Sequence, residues 1–204
     1  MPNIFFAADF HLGHEGILKH TDRPWKSVEE MDEALIQNCQ IGKRDRLYII
    51  GDFAWRDHNR YLSRFPGEKV LILGNHDSMP QEALKNFTGV HEYLDKKFNG
   101  QHIFLSHYPL RGWPDASRGT WHLFGHMHGR MEEDPWALCF DVGVDVWGYR
   151  PVPLEVIEAK MKEKIRFREA NPRPLRTHEE MMETVRKARE ANLQWHKQDV
   201  VTTP

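Results

Sequence analysis

The stretch from Lys69 to Asp77 places the strongest constraint on the fold of this chain. It begins as a short apolar run and stops at Gly74, after which three polar residues follow. An apolar run bounded by turn residues predicts a strand buried on both faces. Gly74 allows a sharp turn, so the next three side chains, an amide, an imidazole and a carboxylate, leave the carboxyl end of the strand. Open α/β sheets carry their ligand sites at that end.

Four other apolar runs, at residues 3–8, 46–50, 102–105 and 121–124, end in polar residues in the same way. In three of the five cases glycine directly precedes the polar residue, as expected where a backbone turns or a bulky group comes close. The donors gathered are imidazole nitrogens and carboxylate or amide oxygens without thiolate, which suits Mn, Fe, Zn or similar divalent ions. The polar residues that follow these four runs are Asp9, His11, Asp52, Ser106, His107, His126 and His128.

Taken in order, these strand ends resemble the motifs of the calcineurin-like metallophosphoesterase family. They read Asp-x-His from residue 9, Gly-Asp from residue 51, Gly-Asn-His-Asp from residue 74, a lone histidine at 107 and Gly-His-x-His from residue 125. The resemblance covers residues 3–153, about three quarters of the chain. The runs F-H-L-G-H and D-V-G-V-D-V-W-G-Y-R-P-V also resemble the small single-domain bacterial and phage members, which are mostly predicted phosphoesterases.

Strands and helices alternate in the first part of the chain and strands dominate later, with two more strands predicted at 137–146 and 149–152. This order predicts an α/β fold with two mixed β-sheets packed face to face and helices outside, an αββα sandwich. We expect a metallophosphoesterase domain at residues 1–153. A C-terminal helical extension at 154–204 is expected to contain two helices, broken at Pro172–Pro174.

The second helix of the extension begins with a predicted capping box, Thr177 to Glu180. Two interpretations of its apolar stripe stay open. The stripe packs back on its own domain, or it forms a self-association seam and makes the protein a homodimer through its C-terminal helices. The stripe consists of Met181, Val185, Ala188, Asn192 and Trp195.

The resemblance also implies a ligand set for two divalent ions. Residues two apart in an extended segment face the same way, so Asp9 and His11 can hold one ion, and His126 and His128 can hold two neighbouring ions. By resemblance, Asp52 bridges the pair. The first ion is assigned Asp9, His11, Asp52 and His128, and the second is assigned Asp52, Asn75, His107 and His126. Manganese is the first choice of metal, with Fe, Zn, Co or Ni as alternatives.

The expected reaction is attack of a metal-bound hydroxide on phosphorus, with no phosphoenzyme. By resemblance, His76 serves the leaving-group oxygen as a general acid or donates to the phosphate. Asp77 is predicted either to orient that imidazole or to cap the turn. Substrate contacts are predicted at His14, Arg23 and Arg111, the two arginines because they offer forked donors from loops. Many family members carry a histidine shortly after the bridging aspartate, and here the nearest is His58.

Three classes of function remain open. The first is a binuclear phosphodiesterase, or less selectively a phosphomonoesterase, acting on a nucleotide-type ester; the second is a DNA or RNA nuclease; the third is a non-catalytic binding module. The net charge of −2 gives no broad basic surface, which argues only weakly against a nucleic-acid substrate. No apolar run approaches the ~18 residues of a membrane helix, and two cysteines are too few for a disulfide framework, so we expect a cytoplasmic protein without membrane contact.

Overall fold

The structure is a computed structural model that describes residues 2–173 and 177–199, with side chains of the last helix described up to Glu190. Its contacts divide the chain into two units, one up to Arg168 and one from Glu169. The strands are β1 Ile4–Ala7, β2 Arg46–Ile50, β3 Glu68–Ile72, β4 Gly89–His91, β5 Tyr93–Phe98, β6 Gln101–Ser106, β7 Trp121–Phe124, β8 Cys139–Asp141 and β9 Val152–Pro153. The α-helices are α1 Ile17–His20, α2 Val28–Asn38, α3 His58–Leu62, α4 Gln81–Leu84, α5 Leu154–Ala170 and α6 His178–Asp199.

The strands form a five-stranded sheet in the order β4-β3-β2-β1-β9 and a four-stranded sheet in the order β5-β6-β7-β8. In the first sheet β1 to β4 run parallel and β9 is antiparallel to β1. In the second, β6 to β8 run parallel and β5 is antiparallel to β6 across the Asn99-Gly100 turn. Both sheets are therefore mixed, and the predicted two-sheet α/β fold is confirmed.

The five-stranded sheet is buried on both faces because its strands alternate between two apolar cores. Tyr48 and Ile50 face the second sheet and meet Leu105 and Leu123 in the core between the sheets. Ile49, which lies between Tyr48 and Ile50 in β2, faces the opposite way and packs in the outer core with the helices. Helix α2 supplies Met31 and Leu35 to that outer core, and its first turn begins where the Ser27 hydroxyl accepts from the Glu30 amide, 3.2 Å away.

Helix α5 belongs to the first unit for most of its length. Leu154, Ile157 and Met161 are buried in the core between the sheets. The Lys164 ammonium is buried as well and donates to three backbone carbonyls, those of residues 134, 137 and 139, at 2.8–3.0 Å. The division at Arg168 thus lies later in the chain than the domain boundary predicted after residue 153.

The second unit contains helix α6, which begins at the predicted capping box. The Thr177 hydroxyl accepts from the Glu180 amide at 3.1 Å, and the Glu180 carboxylate accepts from the Thr177 amide at 2.7 Å. Met181 and Val185 of the predicted stripe are exposed. Pro174 and the side chains of Asn192 and Trp195 lie outside the described residues, so both interpretations of the stripe stay predictions. Within the described ranges, no helix combines the length and apolarity needed to cross a membrane.

Candidate metal centre

The parallel strands of both sheets end at one shared edge of the sandwich. The Ala8 amide donates to the Val142 carbonyl at 3.2 Å, and the Val144 amide donates to the Ala8 carbonyl at 3.0 Å. These bonds join the end of β1 to the segment that follows β8, and so connect the two sheets. The turns after β1, β2, β3, β6 and β7 therefore meet, and they carry all seven predicted metal ligands.

Two glycines make this meeting sterically possible. A Cβ on Gly51, which has φ +85°, would lie 2.1 Å from Nδ1 of His107. A Cβ on Gly74 would lie 2.3 Å from Oδ1 of Asp52. Neither position can carry a side chain without displacing a predicted ligand, which is the close approach that the glycine pattern predicts.

The backbone at the site is held in an unusual conformation. A positive φ is uncommon for residues other than glycine and costs free energy that the surrounding structure must offset. Such conformations cluster at functional sites, because the fold holds a side chain where an unstrained chain would not place it. Five of the seven predicted ligands have a positive φ, namely Asp9, His11, Asp52, His126 and His128, at 49–70°.

The first group of convergent donors consists of Asp9, His11 and His128, whose ligand atoms all lie within 4.8 Å of one another. The rings of His11 and His128 are stacked with centroids 5.2 Å apart. Among the described side chains, Oδ1 of Asp9 and Nε2 of His11 are fully buried and have no hydrogen-bond partner. Buried polar atoms are normally satisfied, so this pair fits the first coordination sphere of a cation.

The second group consists of Asp9, Asp52 and His107, again with ligand atoms within 4.8 Å. Oδ2 of Asp52 lies 3.4 Å from Nε2 of His11 and 3.4 Å from Nε2 of His107. Asp52 therefore stands between the two groups, as expected of a bridge. Asp9 also contributes to both groups, whereas the predicted assignment gives it to the first ion alone.

The tautomer of His107 adds a further acceptor to this group. Its Nδ1 lies 2.9 Å from the Ile50 carbonyl and donates to it, so a neutral ring has its lone pair on Nε2. That nitrogen faces Oδ1 of Asn75 at 3.0 Å as well as Oδ2 of Asp52. Such a neutral ring would turn three acceptor atoms towards one another, and they repel unless a proton on Nε2 or a metal cation lies between them, so the donor set fits a divalent ion that displaces this proton.

His126 lies at the edge of the second group. Its backbone amide donates to Oδ2 of Asp9 at 2.9 Å, and its ring centroid lies 5.1 Å from that of His107. The ring is half-buried and lines the same cavity as His11, Asp52 and Asn75. The structure therefore brings all seven predicted ligands to one place, with His126 outside the two tightest groups.

Metal binding requires carboxylates and neutral imidazoles, and without a metal His11 and Asp52 already meet this requirement. Burial would lower the pKa of His107, but its hydrogen bond to Asp52 and the nearby carboxylate charges outweigh it and raise that pKa to about 9, so this ring must lose a proton when a metal binds. Burial lowers the pKa of His11 to about 2, so its ring is neutral. Burial would raise the pKa of Asp52, but the hydrogen bond and charge of His107 outweigh it and hold that pKa at about 2. Burial raises the pKa of Asp9 to about 7. A divalent cation beside Asp9 would favour its carboxylate form again.

Arg23 and Asp145 form a buried charged network behind the first group. The Arg23 guanidinium donates to both oxygens of Asp145 at 2.8 Å, and to the backbone carbonyls of Phe10 at 2.9 Å and Asp9 at 2.6 Å. Its side chain has no exposed surface, so the prediction that Arg23 contacts the substrate is wrong. Oδ2 of Asp145 also lies 2.8 Å from Nδ1 of His128, which it orients from behind.

Asp77 supports the other side of the site. Its carboxylate accepts from the backbone amides of Asp52 at 2.8 Å, Phe53 at 2.9 Å and Gly74 at 2.8 Å. Both oxygens are thus used by the backbone, and Asp77 ties the turn after β2 to the turn after β3. Of the two roles predicted for Asp77, these hydrogen bonds fit the capping of the turn, and through it the positioning of Asp52.

The metal ligands open into a cavity of about 350 Å³. His14 and His76 both line it, with ring centroids 5.9 Å apart, as a substrate contact and a leaving-group donor would require. Arg111 is exposed, and it is absent from the described lining of this cavity. His58 is buried with Nε2 3.0 Å from the Ala54 carbonyl, and it too is absent from that lining.

Sequence reasoning missed two residues at the site. Asp145 stands in the D-V-G-V-D run, whose resemblance to family members was the available signal. Trp55, three residues after the bridge, lines the cavity and had no recognisable signal, because a lone tryptophan in a loop more often packs than binds.

The chain was compared with known proteins and family models. No model of a protein family matches it. It is 30% identical over 176 residues to an uncharacterized protein of Methanocaldococcus jannaschii, covering 80% of this chain and 93% of that protein. It is 29% identical over 191 residues to the gene 66 protein of Mycobacterium phage D29, covering 77% and 94%. A solved structure of a protein of unknown function from Aquifex aeolicus matches with a TM-score of 0.61 at 26% identity, covering 78% of this chain and 99% of the other.

The identity to the archaeal protein extends over most of both sequences, and the fold and strand-end motifs point the same way. The chain belongs to the family of that Methanocaldococcus jannaschii protein, and its two mixed sheets with five ordered strand-end motifs resemble those of the calcineurin-like metallophosphoesterases.

Proposed function

We propose that this protein is a phosphodiesterase that uses two divalent metal ions, held by Asp9, His11, Asp52, Asn75, His107, His126 and His128. Two groups of residues at the shared edge of the sheets can hold a metal ion. The observation that carries the proposal is the position of Asp52. Its Oδ2 lies 3.4 Å from an imidazole nitrogen on either side, with Oδ1 of Asn75 facing one of them.

Two ions at these positions would supply a nucleophile at neutral pH and would neutralise the oxygens of the phosphate. The ligand residues themselves suit an anionic substrate. Neutral donors dominate the set, since four histidines and an asparagine accompany only two carboxylates, so an anionic ester meets little negative charge. The cavity of about 350 Å³ admits a small ester beside the ligands.

Two observations support His76 as the proton donor to the leaving-group oxygen. Its backbone amide donates to Oδ1 of Asp52 at 2.9 Å, which fixes its turn to the bridge. Its ring centroid lies 5.4 Å from that of His11 and faces the cavity. A phosphate bound at the centre therefore lies within reach of this imidazole.

The decisive experiment is a metal-titrated rate comparison on bis-p-nitrophenyl phosphate and p-nitrophenyl phosphate, with a chelated control. We expect Mn²⁺ to support turnover of the diester and little turnover of the monoester. A preference for the monoester would replace the diesterase with a phosphatase. Cleavage of DNA or RNA strands in preference to small diesters would replace it with a nuclease. Absence of turnover with Mn, Fe, Zn, Co and Ni would reject the enzyme and leave a binding module.

The role of His76 has its own test. The variant His76→Asn should keep both metal sites and slow hydrolysis of esters with poor leaving groups by about 10²–10⁴-fold, the range that general acid catalysis supplies. An ester of p-nitrophenol should lose less, because p-nitrophenolate leaves without a proton. Equal losses on both ester types would remove His76 from the leaving-group role. The variant His91→Asn, at the end of β4, is the matched control.

A further inference from the structure

We infer that Trp55 is a stacking platform for the nucleobase of a phosphate ester bound at the metal centre. This inference deepens the proposed function and rests on it, because it names the class of substrate that the same cavity takes: a nucleotide unit, free or at the end of a strand. Trp55 lies outside the ligand set and outside every motif that the resemblance covers.

The indole is both exposed and part of the active cavity. Trp55 retains 49% of its surface exposure although it lines the cavity. Its ring is nearly parallel to that of His14, at 8° and a centroid distance of 4.3 Å. The ring of His76 also lies beside the indole, with a centroid distance of 5.2 Å. The cavity wall therefore consists of an aromatic surface beside the proposed leaving-group donor.

This wall is fixed relative to the metal ligands. The Trp55 amide donates to the Leu12 carbonyl at 2.9 Å, and Leu12 and Ala54 form a β-bridge. On the other side, the His14 amide donates to the His11 carbonyl at 3.1 Å. Both rings thus sit on backbone segments that continue directly from ligand residues. A ring stacked there would have a defined distance to a phosphate at the centre, with little ordering to be done on binding.

The rest of the lining favours a nucleobase over a hydrocarbon ring. Beside the aromatic wall, the cavity presents hydrogen-bonding groups from His20, Thr21 and Arg130. A ring with polar edges can use them, whereas a plain aryl group would desolvate them. The volume of about 350 Å³ stands near the lower end for small-ligand pockets, which suits one nucleotide unit. Stacking on an aromatic side chain is favourable for every base, because each base has a flat π-face.

The test is a binding titration in the presence of Mn²⁺, in which AMP is compared with ribose 5-phosphate. The wild-type protein should bind AMP about 5- to 100-fold more tightly, the range that one stacked base supplies. The variant Trp55→Leu should lose most of this preference and bind ribose 5-phosphate as before, and Trp55→Phe should keep most of it. The control variant Tyr93→Ala removes an aromatic ring of 61% exposure on β5, away from the cavity, and should change neither affinity.

Equal binding of AMP and ribose 5-phosphate by the wild type, or an unchanged preference in Trp55→Leu with an unchanged melting temperature, would overturn the platform. The same dependence on Trp55 for phenyl phosphate would overturn the nucleobase assignment in favour of a general aryl site. Short oligonucleotides with a terminal phosphate separate the two sources of the base: tighter binding than AMP indicates a strand end, and weaker binding indicates a free nucleotide. Because the titration needs no turnover, it still tests the platform if the hydrolase assays fail.

Discussion

The two sides of the metal centre are supported in different ways. Behind His11 and His128 lies a buried network of charges, in which Asp145 pairs with Arg23 and orients His128. Behind Asn75 and His107 the support is backbone: His107 donates to the Ile50 carbonyl, and Asp77 collects three amides from the adjoining turns. Removal of one partner from a buried charged network leaves an uncompensated charge and costs about 3–5 kcal/mol, whereas loss of one acceptor oxygen leaves a buried amide unpaired and costs about 1–3 kcal/mol. A substitution in the charged network should therefore lower the free energy of unfolding more than a substitution on the side supported by backbone hydrogen bonds.

The largest effect is expected from Asp52→Asn, which affects both sides at once. The bridge loses the charge that lies between the imidazoles of His11 and His107, so turnover should be abolished and occupancy of both ions should fall. Rates on the diester and metal content of the purified protein measure the two effects. An active variant would refute the binuclear assignment, and Asp115→Asn, an exposed aspartate paired with Arg118, is the control.

The next largest effect concerns the network itself. Arg23→Met leaves the carboxylate of Asp145 buried without its cation and removes the donor to two carbonyls. We expect the free energy of unfolding, measured by urea titration, to fall by about 3–5 kcal/mol. The control Arg64→Met breaks a partly exposed pair with Glu33 and should cost about 1 kcal/mol or less. Similar losses in the two variants would show that burial does not distinguish them.

A smaller and more selective effect is expected from Asp145→Asn. Arg23 donates to both oxygens of Asp145, so the NH₂ group of the amide meets a donor of Arg23 in either orientation. In the orientation that puts NH₂ in the position of Oδ2, it donates to Nδ1 of His128, which then keeps its proton on Nε2 and loses its lone pair for the metal. Metal affinity should fall about 10- to 100-fold at the first site and less at the second. Competition with a chromophoric chelator resolves the two steps. An equal loss at both sites would contradict the separation of the two sides.

The smallest effect is expected on the side supported by backbone. Asp77→Asn keeps one acceptor oxygen, so it should lower the free energy of unfolding by about 1 kcal/mol and weaken the second site slightly. Asp45→Asn is a matched control, since Asp45 also accepts from two amides, of Asn3 and Gly42, at the other end of the sheet. It should cost similar stability and leave metal affinity unchanged. A stability loss in Asp77→Asn as large as that in Arg23→Met would remove the contrast.

The sequence predicted that the proposed ligands meet at one edge because each lies in the turn that follows a strand, where a local pattern sets its position. Apolar runs and glycines sufficed to place Asp9, Asp52 and His107 at one edge. The helix-capping box at Thr177 was likewise local and is confirmed.

What the sequence could not predict depends on partners far along the chain. Arg23 sits in a loop like any exposed arginine, and only Asp145, 122 residues away, turns it inward. The role of Asp77 depends on three backbone amides, from two separate turns, that donate to its carboxylate. No local pattern indicates these hydrogen bonds. The strands predicted at 137–146 and 149–152 are short, since the chain turns through Gly148 and Tyr149 with positive φ. That turn delivers Asp145 to the site.

The hydrogen bonds of Ala8 that join the two sheets have a consequence for the stability of the whole fold. They place the metal centre where the two sheets join, so an ion bound by Asp9 after β1 and by His128 after β7 would link the two sheets. A ligand that binds only the folded chain stabilises it by about 2.7 kcal/mol at 100 times its Kd. A shortage of divalent metal would then lower the free energy of unfolding as well as stop the proposed reaction, and it would raise the fraction of the chain that is open to proteolysis.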